Sequence, residues 1–156
     1  MDSAYVAEVL RKNHPDAFRV LSEHPISFHY ENDGHLLYHE HPTIELDPFT
    51  DRVRYINYSP PFQAPLPVDT PEEVYQALAL FAEMLNDEAN TMTFTLKEGE
   101  AVLFDNRRVL HARTAFEELP GNAEGQANRW LKGCYIEGDA VWDRRRVLAT
   151  DKSLRS

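Results

Sequence analysis

The chain has 156 residues, enough for one domain that buries about two-thirds of its unfolded surface. Its 26 Asp and Glu against 16 Lys and Arg give a formal charge of −10, which argues against nucleic acid or an anionic membrane as a partner. A lone cysteine, Cys134, cannot form an internal disulfide and fits a reducing compartment. A cytoplasmic location is therefore expected, with a mitochondrial one left open. No apolar run approaches the roughly 18 residues of a membrane-spanning helix.

The first elements are helical. Asp2 or Ser3 caps a helix through about Lys12, with Tyr5, Val6, Val9 and Leu10 on one face. Asn13-His14-Pro15 ends it, and Pro15 opens a second helix to about Ser22, which leaves His14 as an exposed loop residue. Alternation over Ile26–Glu31 predicts a strand, and Asn32-Asp33-Gly34 predicts a hairpin into Leu36–His39. Thr43–Leu46 and Val53–Tyr58 read as two further strands joined by a turn around Pro48–Asp51. Ser59-Pro60-Pro61-Phe62 then takes the chain out of the sheet, because proline cannot donate to a ladder. Thr70-Pro71-Glu72-Glu73 is a helix start: a Thr cap, Pro at the first position and Glu three residues after the cap. That helix should reach about Asp87, with Val74, Leu78, Phe81, Met84 and Leu85 as a core stripe.

Thr93–Tyr135 carries the densest pattern. Thr93–Lys97 alternates, Glu98-Gly99 turns, Ala101–Phe104 is a continuous apolar run, and Val109–Ala112 resumes it with His111 inside. A loop rich in Gly, Pro, Asn and Glu, Glu117–Asn128, leads to a strand over Arg129–Ile136. Cys134, between Gly133 and Tyr135, reads as a small core residue. Asp139–Leu148 reads as a closing helix with Val141, Trp142 and Leu148 inward, and the last six residues as frayed. Two histidine-bearing segments also put side chains on one strand face: His29-Tyr30-Glu31, and His39-Glu40-His41. Their plain reading is a solvated hairpin.

FDNRRVLHAR followed by RWLKGCY resembles the C-terminal half of the γ-butyrobetaine dioxygenase group, within the wider taurine-dioxygenase-like (TauD/TfdA) oxygenases. The likeness extends upstream through YVAEVLRKNHPDAFRVLSEH and TIELD…RVRYINYSPPF, and covers nearly the whole chain. It implies an α+β fold: the C-terminal part of a double-stranded β-helix, or jelly roll, with flanking helices, residues 1–156 being one domain. It also implies Fe(II) as metal, 2-oxoglutarate as cosubstrate, and hydroxylation of γ-butyrobetaine or a related trimethylammonium amino acid, the chemistry of carnitine biosynthesis.

By the same resemblance, His111 is an iron ligand, since such enzymes hold Fe(II) with two histidines and one carboxylate on one face. Arg129 grips 2-oxoglutarate, because a planar guanidinium forms paired bonds to a carboxylate. Tyr135 falls where an aromatic ring faces the substrate's trimethylammonium group, which only ring faces can recognise. Asn57 and Ser59 fall near the contacts to the substrate carboxylate, Ser59 standing where such enzymes can carry Asn. The family's His-x-Asp, the other two ligands, would precede Met1, so this chain alone is expected to be inactive. The alternative is a non-catalytic binding or assembly module. Either way an exposed sheet edge favours self-association or pairing with the absent half.

Overall fold

The structure, a computed structural model, describes residues 1–115 and 131–153, the last three by backbone alone. They fall into two units, Met1–Arg113 and Thr114–Ser156. The first unit opens with α1 (Ser3–Asn13), capped by the Asp2 carboxylate accepting from the Tyr5 N–H at 3.2 Å. Next comes α2 (Pro15–Glu23), with Pro15 in its first turn and no side-chain cap. The missing N–H of proline costs nothing there, because first-turn donors have no helical acceptor.

β1 (Pro25–Asn32) and β2 (His35–Pro42) form an antiparallel hairpin in register from Pro25 opposite Pro42 to Asn32 opposite His35. Its two-residue loop, Asp33-Gly34, has positive φ at both positions (51° and 79°), the requirement of the mirror-image turn that matches strand twist. β3 (Ile44–Leu46) and β4 (Val53–Ile56) form a second antiparallel pair with an irregularity between Glu45 and Leu46. Asp47 shapes their connection by accepting from the Phe49 and Thr50 N–H groups and the Thr50 hydroxyl, and Asp51 closes it at φ 56°. A single helical turn at Pro60–Phe62 leaves the sheet where the proline pair requires it.

The helix expected after Thr70 is α3 (Glu72–Asn86), but Thr70 does not cap it. Pro71 occupies the cap position, and the buried Thr70 hydroxyl has no partner. The start lies one residue later than the Thr-x-x-Glu pattern suggests, so the hydroxyl is set back from the open N–H groups. Glu72 and Glu73 in the first turn still complement the helix dipole.

One apolar cluster joins these elements: Val6, Ala7 and Leu10 of α1, Phe18, Val20 and Leu21 of α2, Ile26, Ile44 and Ile56 of the strands, and Val74, Ala77, Phe81 and Leu85 of α3. Tyr58 meets Phe81 edge to face at 6.1 Å. Among the described residues, every fully buried apolar side chain precedes residue 86.

The expected strands over Thr93–Lys97, Ala101–Phe104 and Val109–Ala112 do not form. The segments are mostly exposed, and among the described residues the pairing there is an isolated bridge between Val109 and Asp2. Alternation marks which face of a strand would be apolar. A ladder also needs a paired neighbour, and among the described residues those that bond these segments from outside the stretch are Met1 and Asp2, at Leu110 and Val109. The described residues thus make a mixed helix-and-strand fold with two small sheets and no closed barrel.

In the second unit, α4 spans Gly138–Ser153, five residues beyond the expected end. Its apolar residues do not turn inward as expected: Val141, Trp142 and Leu148 all remain exposed. A helix dense in Asp and Arg solvates on every side, and the Arg145 guanidinium lies over the Trp142 ring at 5.2 Å. Cys134 is exposed too, not a core residue, because residues 131–137 join no ladder that would enclose it. Among the described residues no helix is long and apolar enough to cross a membrane.

Candidate functional site

The motif residues before His111 build a clamp. The Asp105 carboxylate accepts from the Arg107 N–H at 2.9 Å, while its carbonyl accepts from Arg108 and Val109, so Asp105-Asn106 folds as a tight turn. Arg107 fastens the turn to the second sheet. Its carbonyl accepts from the Ile56 N–H at 3.0 Å, and its guanidinium lies over the Tyr55 ring at 4.3 Å. Arg108 fastens it to α1: the guanidinium donates from Nε and Nη2 to both oxygens of Asp2, at 3.0 and 2.6 Å. The Ser3 hydroxyl and N–H both donate to the Arg108 carbonyl.

His111 follows directly. Its ring lies 4.7 Å from that of Phe104, tilted by 54°, and the side chain is exposed. Segment 104–111 therefore carries a single imidazole on a turn anchored at both flanks.

The clamp was not legible in advance. Asp2 and Arg108 stand 106 positions apart, and no periodicity links them. Arg108 holds the Asp2 carboxyl below its usual range, against a smaller opposing effect of burial, and Asp2 in turn raises Arg108.

A second cluster lies on β2 and β3. The His39 and His41 rings meet edge to face at 4.0 Å. The His41 Nδ1 is 3.9 Å from the Glu45 carboxylate, and Arg107 is 3.8 Å from the same oxygen. Burial pushes the His41 pKa down, the charges of His39 and Arg107 add to this, and Glu45 opposes it. A guanidinium on the Glu45 carboxylate makes this a poor cation site. His29 and Glu31 stand exposed on β1, opposite Tyr38 and Leu36. Among the described residues, no group of three or more His, Cys, Asp or Glu is placed to hold a metal ion. His111 is one donor where Fe(II) of this type takes three from protein, so the described residues do not fit the ion by themselves.

Asn57 is half-buried, its side-chain amide donating to the Pro42 carbonyl at 2.9 Å and its N–H to Thr43 at 2.8 Å. Both bonds tie the end of β4 to the junction of β2 and β3. Ser59, also half-buried, accepts through its carbonyl from Phe62 and Gln63. Tyr135, in the second unit, is 89% exposed. Arg129 lies outside the described residues.

The family model for the taurine catabolism dioxygenase TauD, TfdA family matches residues 1–135. The chain belongs to that family. It is 57% identical over 149 residues to Dioxygenase str8 of Strobilurus tenacellus, covering 94% of this chain and 35% of that one. It is 30% identical over 153 residues to human gamma-butyrobetaine dioxygenase, covering 95% and 38%. To the mitochondrial trimethyllysine dioxygenase of Gallus gallus it is 32% identical over 157 residues, covering 95% and 35%. The chain thus spans little more than a third of the length of these relatives. TauD/TfdA dioxygenases generally depend on Fe(II) and 2-oxoglutarate.

Proposed function

We propose that these 156 residues are the part of an Fe(II)/2-oxoglutarate dioxygenase that contributes one metal donor and the cosubstrate-binding arginine. The substrate class is a trimethylammonium amino acid of the γ-butyrobetaine kind. Family membership over residues 1–135 carries the reading, and relatives named for gamma-butyrobetaine and trimethyllysine support the substrate class. The rest of the jelly roll and the other two donors lie outside these residues, so the chain does not turn over alone.

The bound metal and cosubstrate would supply the oxidising power. The chain's own residues hold and orient. The exposed imidazole of His111 offers a nitrogen lone pair from an anchored turn. Arg129 would grip the distal carboxylate of 2-oxoglutarate, a task for which a planar guanidinium is suited. Tyr135 offers a ring face to the quaternary ammonium, a contact worth about 0.5–2 kcal/mol. Asn57 and Ser59 would contact the substrate carboxylate.

The lack of a three-donor group among the described residues favours one other reading, a non-catalytic module that keeps a remnant of the pocket. One experiment separates the two. The portion of Dioxygenase str8 outside the match is joined to this chain, and succinate release from 2-oxoglutarate is measured with γ-butyrobetaine and with trimethyllysine. Substrate-dependent succinate supports the oxygenase. A folded fusion that releases none with either substrate leaves the module.

A further inference from the structure

The Glu45 carboxylate is shared by two basic groups of different kind. One of its oxygens, Oε2, lies 3.8 Å from the Arg107 guanidinium and 3.9 Å from Nδ1 of His41. A guanidinium is charged throughout the working range of pH, whereas an imidazole gains its charge only in weak acid. A second imidazole stands next to the first, His39 meeting His41 edge to face at 4.0 Å. His41 and Glu45 are both half-buried, so water and salt screen the exchange less than on an open surface. Arg107, in turn, belongs to the turn that carries His111 four positions on. Its carbonyl accepts from the Ile56 N–H at 3.0 Å and its guanidinium lies over the Tyr55 ring at 4.3 Å.

We propose that His41 is a pH-sensitive positioning residue: once protonated, its imidazole takes the Glu45 carboxylate from Arg107 and loosens one of the two anchors of the His111 turn. With His41 neutral, Glu45 is left to Arg107 and draws the guanidinium toward the second sheet. With His41 charged, two cations meet at one oxygen and repel each other. Proton binding and the seating of Arg107 therefore oppose one another by the same factor in both directions. The surroundings of His41 agree with this. Burial is the largest influence against its charged form, His39 and Arg107 add to it, and Glu45 opposes them. Arg54 of β4 brings a further positive charge over the same Tyr55 ring, at 4.9 Å, while Ile26 opposite His41 on β1 brings none. The other anchor contains no imidazole, and Arg108 holds the Asp2 carboxyl below its usual range, so that side stays closed in weak acid. The use of His111 as a metal donor rests on the dioxygenase reading. The coupling itself is read without metal or turnover, so either can fail alone.

The test titrates the 156-residue chain by NMR from about pH 8 to about pH 5, above the ordinary carboxylate range. It follows the His41 ring signals, the Arg107 side-chain protons shielded by the Tyr55 ring, and the protection factor of the Ile56 amide. The Arg107 protons should move toward unshielded positions with the midpoint of the His41 ring, below its usual 6.5. Ile56 protection should fall roughly two- to fivefold over the same range, the equilibrium factor of a half-exposed ion pair. His41→Gln should keep the Arg107 signals at their high-pH positions throughout, and Glu45→Gln should show the loosened positions at both ends. Arg107 signals that stay in place while His41 titrates in the unmodified chain overturn the proposal, whether or not a variant folds. An undiminished response in His41→Gln or in Glu45→Gln overturns it as well.

Discussion

The pairing of Asp2 with Arg108 gives a quantitative handle on what seats the His111 turn. Asp2 has two roles: it caps α1 through the Tyr5 N–H and receives three bonds from Arg108, two from Nε at 3.0 and 3.2 Å and one from Nη2 at 2.6 Å. Point charges at such separations attract by about 1.5 kcal/mol in water. Side-chain exposures of 58% for Arg108 and 40% for Asp2 leave the pair screened, so its coupling should be about 0.5–1 kcal/mol. Two-pronged geometry argues for the upper end. Arg108→Ala should therefore cost about 0.5–1 kcal/mol, and Asp2→Ala about 1 kcal/mol more, because it also removes the helix cap. Urea unfolding of both single variants and the double variant isolates the coupling. It should shrink in high salt, and the Ser3 amide, which donates to the Arg108 carbonyl at 3.2 Å, should exchange faster in both single variants. The sign with pH follows from the lowered Asp2 pKa. The contribution is complete above the unfolded value near 3.8 and is lost as pH falls through the lower folded value. Equal costs for the two single variants would refute the capping role, and zero coupling would refute the clamp.

Two further outcomes follow from the packing. Phe81 on α3 is fully buried and meets the Tyr58 ring edge to face, so Phe81→Ala should cost about 3–5 kcal/mol in urea unfolding. A loss below about 1 kcal/mol would mean the site collapses and the cluster is looser than its burial indicates. His41 has a folded pKa below the usual 6.5, so the folded state resists its protonation. Stability should be full above 6.5 and fall as pH drops below it, with Glu45 tempering the loss and His39 and Arg107 deepening it. The difference in urea midpoint between about pH 7.5 and about pH 5.5 should shrink in His41→Gln, and an unchanged difference would remove His41 as its source.

Local chemistry made much of the first unit readable. Asp33-Gly34 can turn a hairpin because both positions accept positive φ, and the structure uses both. The helices followed from Asp2, Pro15 and the apolar stripe ending at Leu85. The expected strands within 93–112 do not form for a definite reason: alternation at 93–97 and apolar runs at 101–104 and 109–112 report side-chain patterns, while a strand exists only when its backbone is paired. The clamp was invisible because Arg107 and Arg108 act on Tyr55 and Asp2, far off in sequence. His111 came from the resemblance, since a lone strand histidine says nothing of metal. The structure brings it beside Phe104, and among the described residues no three-donor group forms.

Succinate release by the fusion of this chain to the non-matching portion of Dioxygenase str8 tests the account most directly when read in two variants. His111→Ala should abolish substrate-dependent succinate, with the fusion still folded by circular dichroism. His29→Ala, on the exposed hairpin, should leave it intact. A fusion that stays active without His111 and falls silent without His29 would contradict the assignment.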